Sequence, residues 1–372
     1  MKVLVTGGAG FIGSHIVDEL LAGGSNVVVF DNLSPAAHAT TPDYLPPSVD
    51  FRGADLTDAD AVASAVADVD AVSHQAARVG LGVNFEDVTG YVADNDVGTA
   101  VLLRALWRAG FTGRLVVASS MVVYGEGAYR CRHHGTVRPG SRQPIDLDRG
   151  CFDPPCPKCG ESLEPVDVTE DAVLDPRNAY AATKVHTEHL AFAYGREAGV
   201  AVAALRYHNV YGPRMPRDTP YAGVASIFRS ALEGGNAPLV HEDGRQRRDF
   251  VHVTDVARAN LLALLDRRDT TGAWNVASGT PHTVGELAEV LSTAVRGGAP
   301  APEVTGAWRP GDVRHIVASP ERATDELGFT AKVGFETGMA DFAGAPLRDA
   351  PSSTGSRRTG DAGDVAHAFR NA

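Results

Sequence analysis

The strongest constraint on the fold is a glycine-rich turn near the start of the chain. An apolar run at residues 2–6 (KVLVT) leads directly into Gly7, Gly10 and Gly13, and residues 14–22 then have the periodicity of a helix. Such a turn lets backbone N–H groups approach a ligand closely, and the start of the helix favours negative charge. The strand, turn and helix together predict a site for a pyrophosphate in an α/β sheet.

Apolar runs and helical segments alternate along the following two hundred residues. We expect strands at 27–30, 71–74, 114–119 and 200–207, and helices at 60–67, 97–109 and 178–198. This alternation predicts a Rossmann-type doubly wound parallel sheet. Beyond residue 213 the pattern is less regular, with helices near 222–234, 254–268 and 283–297, and we expect a smaller α/β lobe there.

Length and charge restrict the function further. The 372 residues allow about two domains. With 34 Lys and Arg against 46 Asp and Glu, the formal net charge is −12, so we expect neither nucleic acid nor an anionic membrane as a partner. No apolar run reaches the roughly 18 residues of a membrane span, and we expect a cytoplasmic protein.

An acidic residue at the end of the second strand predicts which dinucleotide binds. Asp31 follows Gly13 by 18 residues, where a carboxylate accepts hydrogen bonds from the adenosine ribose and repels a 2′-phosphate. This favours NAD over NADP. The NAD contacts expected in this region are Gly7, Gly10, Phe11, Ile12, Gly13, Asp31 and Asn32.

Asp55 and Leu56 follow the third apparent strand and are expected near the adenine. An alternative role for Asp55 is to cap the next helix, and the sequence favours neither role.

Three side chains form a candidate catalytic group. Tyr180 and Lys184 are four residues apart in a predicted helix and therefore share a face. Ser120 follows an apolar strand, at the end where open sheets bind their ligands. We expect the Lys184 ammonium and a cationic nicotinamide to lower the pKa of Tyr180 so that it acts as a base. The alternative is an exposed helical Tyr–Lys pair.

Several segments together resemble the extended short-chain dehydrogenases/reductases, and within them the NAD-dependent sugar-nucleotide epimerases/dehydratases. The resemblance covers about residues 1–343. The matching segments are TGGAGFIGSH at 6–15, HQAA at 74–77, SSMVVYG at 119–125, YAATK at 180–184, LRYHNVYGP at 205–213, RRDFVHVTDVA at 247–257 and RPGDVRH at 309–315.

The resemblance implies roles for further residues. Ser120 and the base Tyr180 would contact the sugar hydroxyl, and Lys184 would bind the nicotinamide ribose. Ala76 and Asn95 would line the cofactor path. The residues implied for the phosphates of a nucleotide-sugar substrate are Asn209, Arg248 and Arg314; surface salt bridges are the alternative for the two arginines.

Two apolar residues favour epimerisation within this family. Dehydratases carry an Asp-Glu pair directly after the catalytic Ser or Thr, whereas this chain has Met121 and Val122. Neither residue transfers protons, so 4-epimerisation through a 4-keto sugar is the leading hypothesis. The alternatives are an NAD(P)-dependent dehydratase or 4-ketoreductase, and a non-catalytic nucleotide-sensing protein.

All four cysteines fall within 29 residues. Cys131 and His134, followed by Cys156 and Cys159, provide two tight turns with donors suited to a closed, structural zinc site. His133 and Cys151 are competing ligands, and free thiols or a disulfide are the alternatives. The insert resembles the Cys-rich insert of some bacterial enzymes assigned as dTDP-L-rhamnose 4-epimerases.

These observations suggest an organisation in three parts. We expect an NAD-binding Rossmann domain at 1–205 with a Cys-rich zinc-binding insert at 128–168. The substrate-binding lobe is expected mainly at 206–343, with some segments returning to the Rossmann domain, and a disordered tail at 344–372. The resemblance also implies a homodimer formed through the helices at 97–109 and 178–198.

Overall fold

The computed structural model describes residues 1–80, 85–217, 223–266, 268, 270–295, 298–309 and 311–348. Its strands are β1 (Lys2–Thr6), β2 (Asn26–Phe30), β3 (Asp50–Arg52), β4 (Ala71–His74), β5 (Arg114–Ser120), β6 (Ala128–Cys131), β7 (Gly135–Val137), β8 (Glu164–Val166), β9 (Val202–Tyr207), β10 (Asn209–Tyr211), β11 (Leu239–Val240), β12 (Arg247–His252), β13 (Gly272–Val276), β14 (Pro281–Thr283) and β15 (Glu303–Val304).

The helices are α1 (Phe11–Ala22), α2 (Ala59–Ala65), α3 (Val88–Tyr91), α4 (Gly98–Arg108), α5 (Pro144–Leu147), α6 (Ala179–Ala198), α7 (Val224–Glu233), α8 (Val253–Leu265), α9 (Val284–Ala294), α10 (Glu321–Leu327) and α11 (Phe335–Gly344). A π-helical turn at Val92–Val97 precedes α4, and a 3-10 turn at Met121–Tyr124 follows β5.

Seven parallel strands form the central sheet in the order β13-β9-β5-β4-β1-β2-β3. The order reverses at β1, which lies between β2 and β4. In such sheets the ligand crevice opens beside the carboxyl ends of the strands at this reversal. The expected Rossmann-type α/β fold is confirmed.

Both faces of this sheet are covered. Val3 and Val5 of β1 pack into a core with α1 and α8, while Leu4 between them packs into a second core with α2, α4 and α6. Successive strand residues point to opposite faces, so an uninterrupted apolar strand fills both cores.

A smaller lobe carries its own apolar core. α7, α9 and α11 pack with β10 and β12 around aromatic and aliphatic side chains that include Tyr211, Phe228 and Met339. β13 and α8, although late in the chain, belong to the central sheet and its cover. The expected boundary at residue 205 falls inside β9, which runs to Tyr207.

The cysteine-bearing insert forms a small antiparallel sheet in the order β7-β6-β8. Its core contains Tyr129, Cys131, Val137 and Cys156. With so few apolar side chains, this sheet has little hydrophobic stabilisation of its own.

The carboxyl-terminal segment differs from the expected tail. Leu347 is buried in the core of the smaller lobe, and the Arg348 N–H donates to the Met215 carbonyl at 3.0 Å. One buried leucine anchors this segment, a signal too small for composition to reveal. Residues 349–372 of the expected tail lie outside the described residues, as do residues 222, 267, 296 and 297 of three expected helices. None of the described helices has the length and hydropathy of a membrane span.

Candidate active site and metal cluster

The glycine turn is closely packed against the end of β4. Gly7 has φ of +66°, and a Cβ on it would lie 2.6 Å from the Ala76 nitrogen. A Cβ on Gly13 would lie 2.1 Å from the Gly7 carbonyl oxygen. Side chains are therefore excluded at both positions, and the start of α1 is held directly against the turn.

The start of α1 is open to an anion. Gly10 is its N-cap residue, and no side chain hydrogen-bonds to the first turn. The N–H groups of Phe11, Ile12 and Gly13 have no partner within the helix because they belong to its first turn. The expected pyrophosphate site therefore has uncapped donors and the positive end of a helix dipole.

Asp31 lies beside this turn, as the spacing predicts. Its carboxylate accepts hydrogen bonds from Ala9 N–H at 3.0 Å and from Leu33 N–H at 2.9 Å. Asn32 donates to Asp55 at 2.8 Å, linking the ends of β2 and β3.

Asp55 does not cap α2, because Asp58 is the N-cap residue of that helix. Instead, Asp55 accepts hydrogen bonds from the Thr57 backbone and hydroxyl. The adjacent Leu56 is buried beneath Gly98 of α4.

Asn95 joins the expected cofactor path to the catalytic helix. Its amide accepts from Arg78 N–H at 2.7 Å and donates to the Arg78 carbonyl at 3.0 Å and to the Thr183 hydroxyl at 2.9 Å. Asn95 therefore fixes the loop after β4 against α6, and its polar atoms are engaged by the chain itself.

The three candidate catalytic residues come together at the carboxyl end of β5. The Ser120 hydroxyl hydrogen-bonds the Tyr180 phenol. The Lys184 ammonium donates to the Ala118 carbonyl at 3.0 Å and lies 5.9 Å from the centre of the Tyr180 ring. Asn178 caps α6 by accepting from Ala181 N–H, which determines where this helix starts.

The pKa values in this group differ from the expectation. Burial raises the pKa of Tyr180 well above its usual range, and the Ser120 hydrogen bond only partly opposes this. Burial lowers the pKa of Lys184 to about 8, against the attraction of Glu188. In the chain by itself, desolvation therefore sets the direction of the Tyr180 pKa shift, and the lowering expected from a cationic nicotinamide stays a prediction.

A buried ion pair between Arg206 and Glu188 lies next to Lys184 of the candidate catalytic group. Arg206 donates to both oxygens of Glu188, at 2.9 and 2.8 Å, and Ser119 also hydrogen-bonds Glu188. Glu188 lies one helical turn after Lys184. Sequence analysis missed this pair, although the spacing Tyr180-Lys184-Glu188 along one helix face was its visible signal.

Met121 and Val122 occupy the turn directly after Ser120, and both are partly buried. No proton-transferring side chain therefore stands at these two positions.

The three residues implied for substrate phosphates have different environments. The Asn209 Oδ1 is buried without a hydrogen-bond partner among the described residues, which suits a bound ligand. The Arg248 guanidinium donates to the carbonyls of Arg247, Val313 and Arg314.

Arg314 differs from the expectation. Its side chain is 1% exposed and is enclosed by the carboxylates of Asp153, Glu242 and Asp243 at 2.7 to 2.9 Å. Its charge is already balanced by the chain, so the structure does not support a phosphate contact for Arg314. The sequence motif could not reveal these carboxylates, since they lie far away along the chain.

A cavity of about 140 Å³ lies between the insert and the segment 308–312. Its lining carries three arginines, and of these only the Arg309 guanidinium has no hydrogen bond or ion pair among the described residues. The lining residues are Glu126, Ser141, Arg142, Pro144, Leu147, Arg177, Trp308, Arg309, Gly311 and Asp312. Sequence analysis missed Arg309, whose only signal was its place in the RPGDVRH segment.

Four donor atoms of the insert form one cluster. Cys131, His134, Cys156 and Cys159 place a sulfur or ring nitrogen within 4.8 Å of one another. Cys131 Sγ lies 3.5 Å from His134 Nδ1 and 3.7 Å from Cys159 Sγ, and Cys156 Sγ lies 3.7 Å from His134 Nδ1. Tetrahedral zinc separates such ligands by about 3.5 to 3.8 Å, given its usual bond lengths.

The competing ligands lie elsewhere. His133 pairs with Glu161 at 3.2 Å, and Cys151 is exposed. All four cysteines are free thiols in the structure. Burial alone would raise the pKa of Cys156, but N–H groups of Lys158 and Cys159 and the neighbouring thiols lower it to about 6. Thiolate character of this kind suits a metal ligand.

Comparison with known families identifies one match. The NAD dependent epimerase/dehydratase family matches residues 3–144 and 156–277. The gap between the two matched parts, residues 145–155, falls inside the insert.

Individual relatives match over nearly their whole length. The chain is 34% identical to a dTDP-L-rhamnose 4-epimerase from Burkholderia thailandensis, covering 92% of this chain and 93% of that protein. It is 31% identical to a dTDP-glucose 4,6-dehydratase from Actinoplanes sp., covering 92% and 96%. A UDP-glucose 4-epimerase from Thermus thermophilus, solved in complex with NAD, is 35% identical with a TM-score of 0.73, covering 92% and 98%.

Proposed function

The chain belongs to the NAD dependent epimerase/dehydratase family, and we propose on that basis that its substrate is dTDP-L-rhamnose. Its reaction is the NAD-dependent 4-epimerisation of a nucleotide sugar. The observation that carries epimerisation is the combination of Ser120, Tyr180 and Lys184 with Met121 and Val122, which lack the proton-transfer groups needed to eliminate water.

The residues around the crevice fit the cofactor. The uncapped start of α1 would hold the pyrophosphate, Asp31 the adenosine ribose, and Lys184 the nicotinamide ribose. When bound, NAD supplies a reversible hydride acceptor for C4 of the sugar.

The chain's own residues handle the proton. Ser120 orients the sugar 4-hydroxyl toward the Tyr180 oxygen, which removes its proton as C4 is oxidised. Burial opposes the phenolate in the chain by itself, and the cationic nicotinamide of bound NAD would favour it, so that Tyr180 could take the proton of the 4-hydroxyl and return it after the 4-keto sugar has rotated. Asn209, with its unpartnered oxygen, contacts the pyrophosphate of the substrate.

A panel of dTDP-, UDP- and GDP-sugars tests this function. We expect NMR of the sugar ring to show interconversion at C4 of dTDP-L-rhamnose without added reductant. Preference for a UDP-hexose would correct the substrate but keep the reaction. Stoichiometric consumption of NADPH, or a dehydrated product, would favour the 4-ketoreductase or the dehydratase instead.

We further propose that Cys131, His134, Cys156 and Cys159 bind one structural zinc ion. Protein ligands occupy all four positions, so the metal would stabilise the small insert sheet and take no part in the chemistry. We expect one zinc per chain by elemental analysis of protein purified without chelator. Cys156→Ser should lose the metal, whereas Cys151→Ser, at an exposed cysteine outside the cluster, should retain it.

We also propose a homodimer formed through α4 and α6. Trp107 on α4 is 55% exposed, which leaves an apolar surface for a partner. Light scattering should give twice the chain mass, and a monomer mass would contradict this assembly.

A further inference from the structure

The insert holds the segment that carries Arg309. The Arg142 guanidinium donates to the Asp312 carbonyl at 2.7 Å, and Asp148 accepts from the Trp308 indole N–H at 3.1 Å. Both contacts run from the insert to the segment 308–312, and they lie on either side of Arg309.

The anchor on the insert side is buried. The Arg142 side chain is 4% exposed and pairs with Glu242 at 2.8 Å. Glu242 also accepts from Arg314, which in turn pairs with Asp153 of the insert. These alternating charges form a closed chain from the insert to the smaller lobe and back.

The two catalytic segments border the same cavity. Glu126 follows Ser120 by six residues, and Arg177 precedes Tyr180 by three; both line the cavity beside Arg142 and Arg309. Arg177 donates to the insert's Ser141 hydroxyl at 2.6 Å. The insert thus forms one wall of a cavity whose lining also includes residues close along the chain to Ser120 and Tyr180.

The charge of the cavity selects its ligand. Arg177 pairs with Asp175 at 2.6 Å, and Arg142 pairs with Glu242. Arg309 is therefore the lining arginine whose charge is left for an anionic ligand on a chain whose net charge is −12. Arg142 is engaged by Glu242 and Asp312, whereas the Arg309 guanidinium has no partner among the described residues. An anionic group such as a nucleoside diphosphate fits this arrangement.

We propose that the insert is a positioning element for substrate binding, acting through Arg142 and Asp148. By contacting Asp312 and Trp308 on either side of Arg309, these two residues hold Arg309 where the diphosphate of the nucleotide sugar binds. The inference rests on the proposed function. It gives the insert a role in substrate affinity that is separate from the chemistry at Tyr180.

Substitutions within the insert test this role. We expect Arg142→Ala to raise the KM for the nucleotide sugar, and the Kd for free dTDP or UDP, on the order of tenfold, with kcat changed by less than about twofold. Arg149→Ala is the matched control, since this exposed arginine of the same insert has no side-chain hydrogen bond or ion pair with the described residues. It should leave both constants unchanged.

A second position keeps the test independent of folding. Asp148→Ala should weaken nucleotide binding, whereas Asp148→Asn retains an oxygen acceptor for Trp308 and should restore it. Zinc content and thermal unfolding identify an unfolded variant. If Arg142→Ala does not fold, the comparison of Asp148→Ala with Asp148→Asn decides the outcome. Unchanged KM and Kd in the Arg142 and Asp148 variants, or a fall confined to kcat, would overturn the proposal.

Calorimetry with dTDP and UDP separates this proposal from the proposed function. If the wild-type protein binds neither nucleotide and epimerises no sugar, the proposed function fails. If the wild-type protein binds and turns over but the insert variants behave identically, only the positioning role fails.

Discussion

Burial controls the protonation of the two titratable side chains closest to the proposed reaction. Tyr180 and Lys184 lie on one face of α6 and are buried, so the pKa of Tyr180 is raised and the pKa of Lys184 is lowered to about 8. The proximity of Lys184 alone therefore does not create a phenolate. Ser120 provides the hydrogen bond that opposes the effect of burial on Tyr180.

The first prediction at the residue scale concerns the phenol. Tyr180→Phe removes the proposed base without changing the ring, and we expect kcat to fall by about 10² to 10⁴. Tyr194→Phe is the control on the same helix, because its buried hydroxyl has no hydrogen-bond partner in the described structure. Turnover assays of both variants check the prediction, and an active Tyr180→Phe would exclude this tyrosine as the base.

The second prediction concerns Lys184. Its pKa is about 8 in the folded chain and near 10.5 in the unfolded chain. Between these values the unfolded chain binds the extra proton, so this residue makes the folded state more stable as pH rises. Relative to Lys184→Met, the wild type should gain about 2.6 kcal/mol of unfolding free energy from pH 8 to 10.5.

Denaturant unfolding of both proteins at several pH values measures this difference, in which the titration of groups that do not interact with Lys184 cancels. A constant difference across the window would show that the pKa of Lys184 is not lowered by folding.

At the scale of elements, the turn between β1 and α1 requires glycine at position 13. Gly13 packs against the Gly7 carbonyl so closely that even a methyl group does not fit. The position of α1, and with it the uncapped N–H groups, follows from this contact.

Gly13→Ala should therefore destabilise the protein by about 1 to 3 kcal/mol and weaken NAD binding. Gly23→Ala, at the other end of the same helix, meets no atom closer than 3.4 Å and should change stability by no more than about 0.5 kcal/mol. Chemical denaturation and NAD titration distinguish the two variants. Equal behaviour would mean that the turn relaxes around a methyl group.

At the scale of the whole molecule, residues 347–348 pack onto the smaller lobe. The backbone of Arg348 hydrogen-bonds with Met215 and Arg217, and Leu347 fills the core of the smaller lobe. The last described residues thus belong to the folded body.

Two truncations test this. Ending the chain after Arg348 preserves all of these contacts, so stability should stay close to that of the full chain. Ending it after Gly344 removes Leu347 and should cost about 2 kcal/mol from lost apolar burial. Thermal unfolding measures both, and equal loss in the two truncations would contradict the role of Leu347.

The sequence by itself determined the central sheet, the glycine turn, the grouping of Ser120, Tyr180 and Lys184, and the clustering of three cysteines with His134. These features depend on residues close together along the chain, or on the alternation of strands and helices that the topology of parallel sheets restricts. Apolar periodicity and short spacings along the chain are enough to predict features of this kind.

Only the tertiary structure decided how distant charges pair. It enclosed Arg314 with Asp153, Glu242 and Asp243, and it brought Arg142 of the insert to Glu242. It also determined that burial raises the pKa of Tyr180 in the chain by itself, because desolvation depends on everything packed around a side chain. Burial and long-range ion pairs are properties of the folded chain, and no local pattern of residues encodes them.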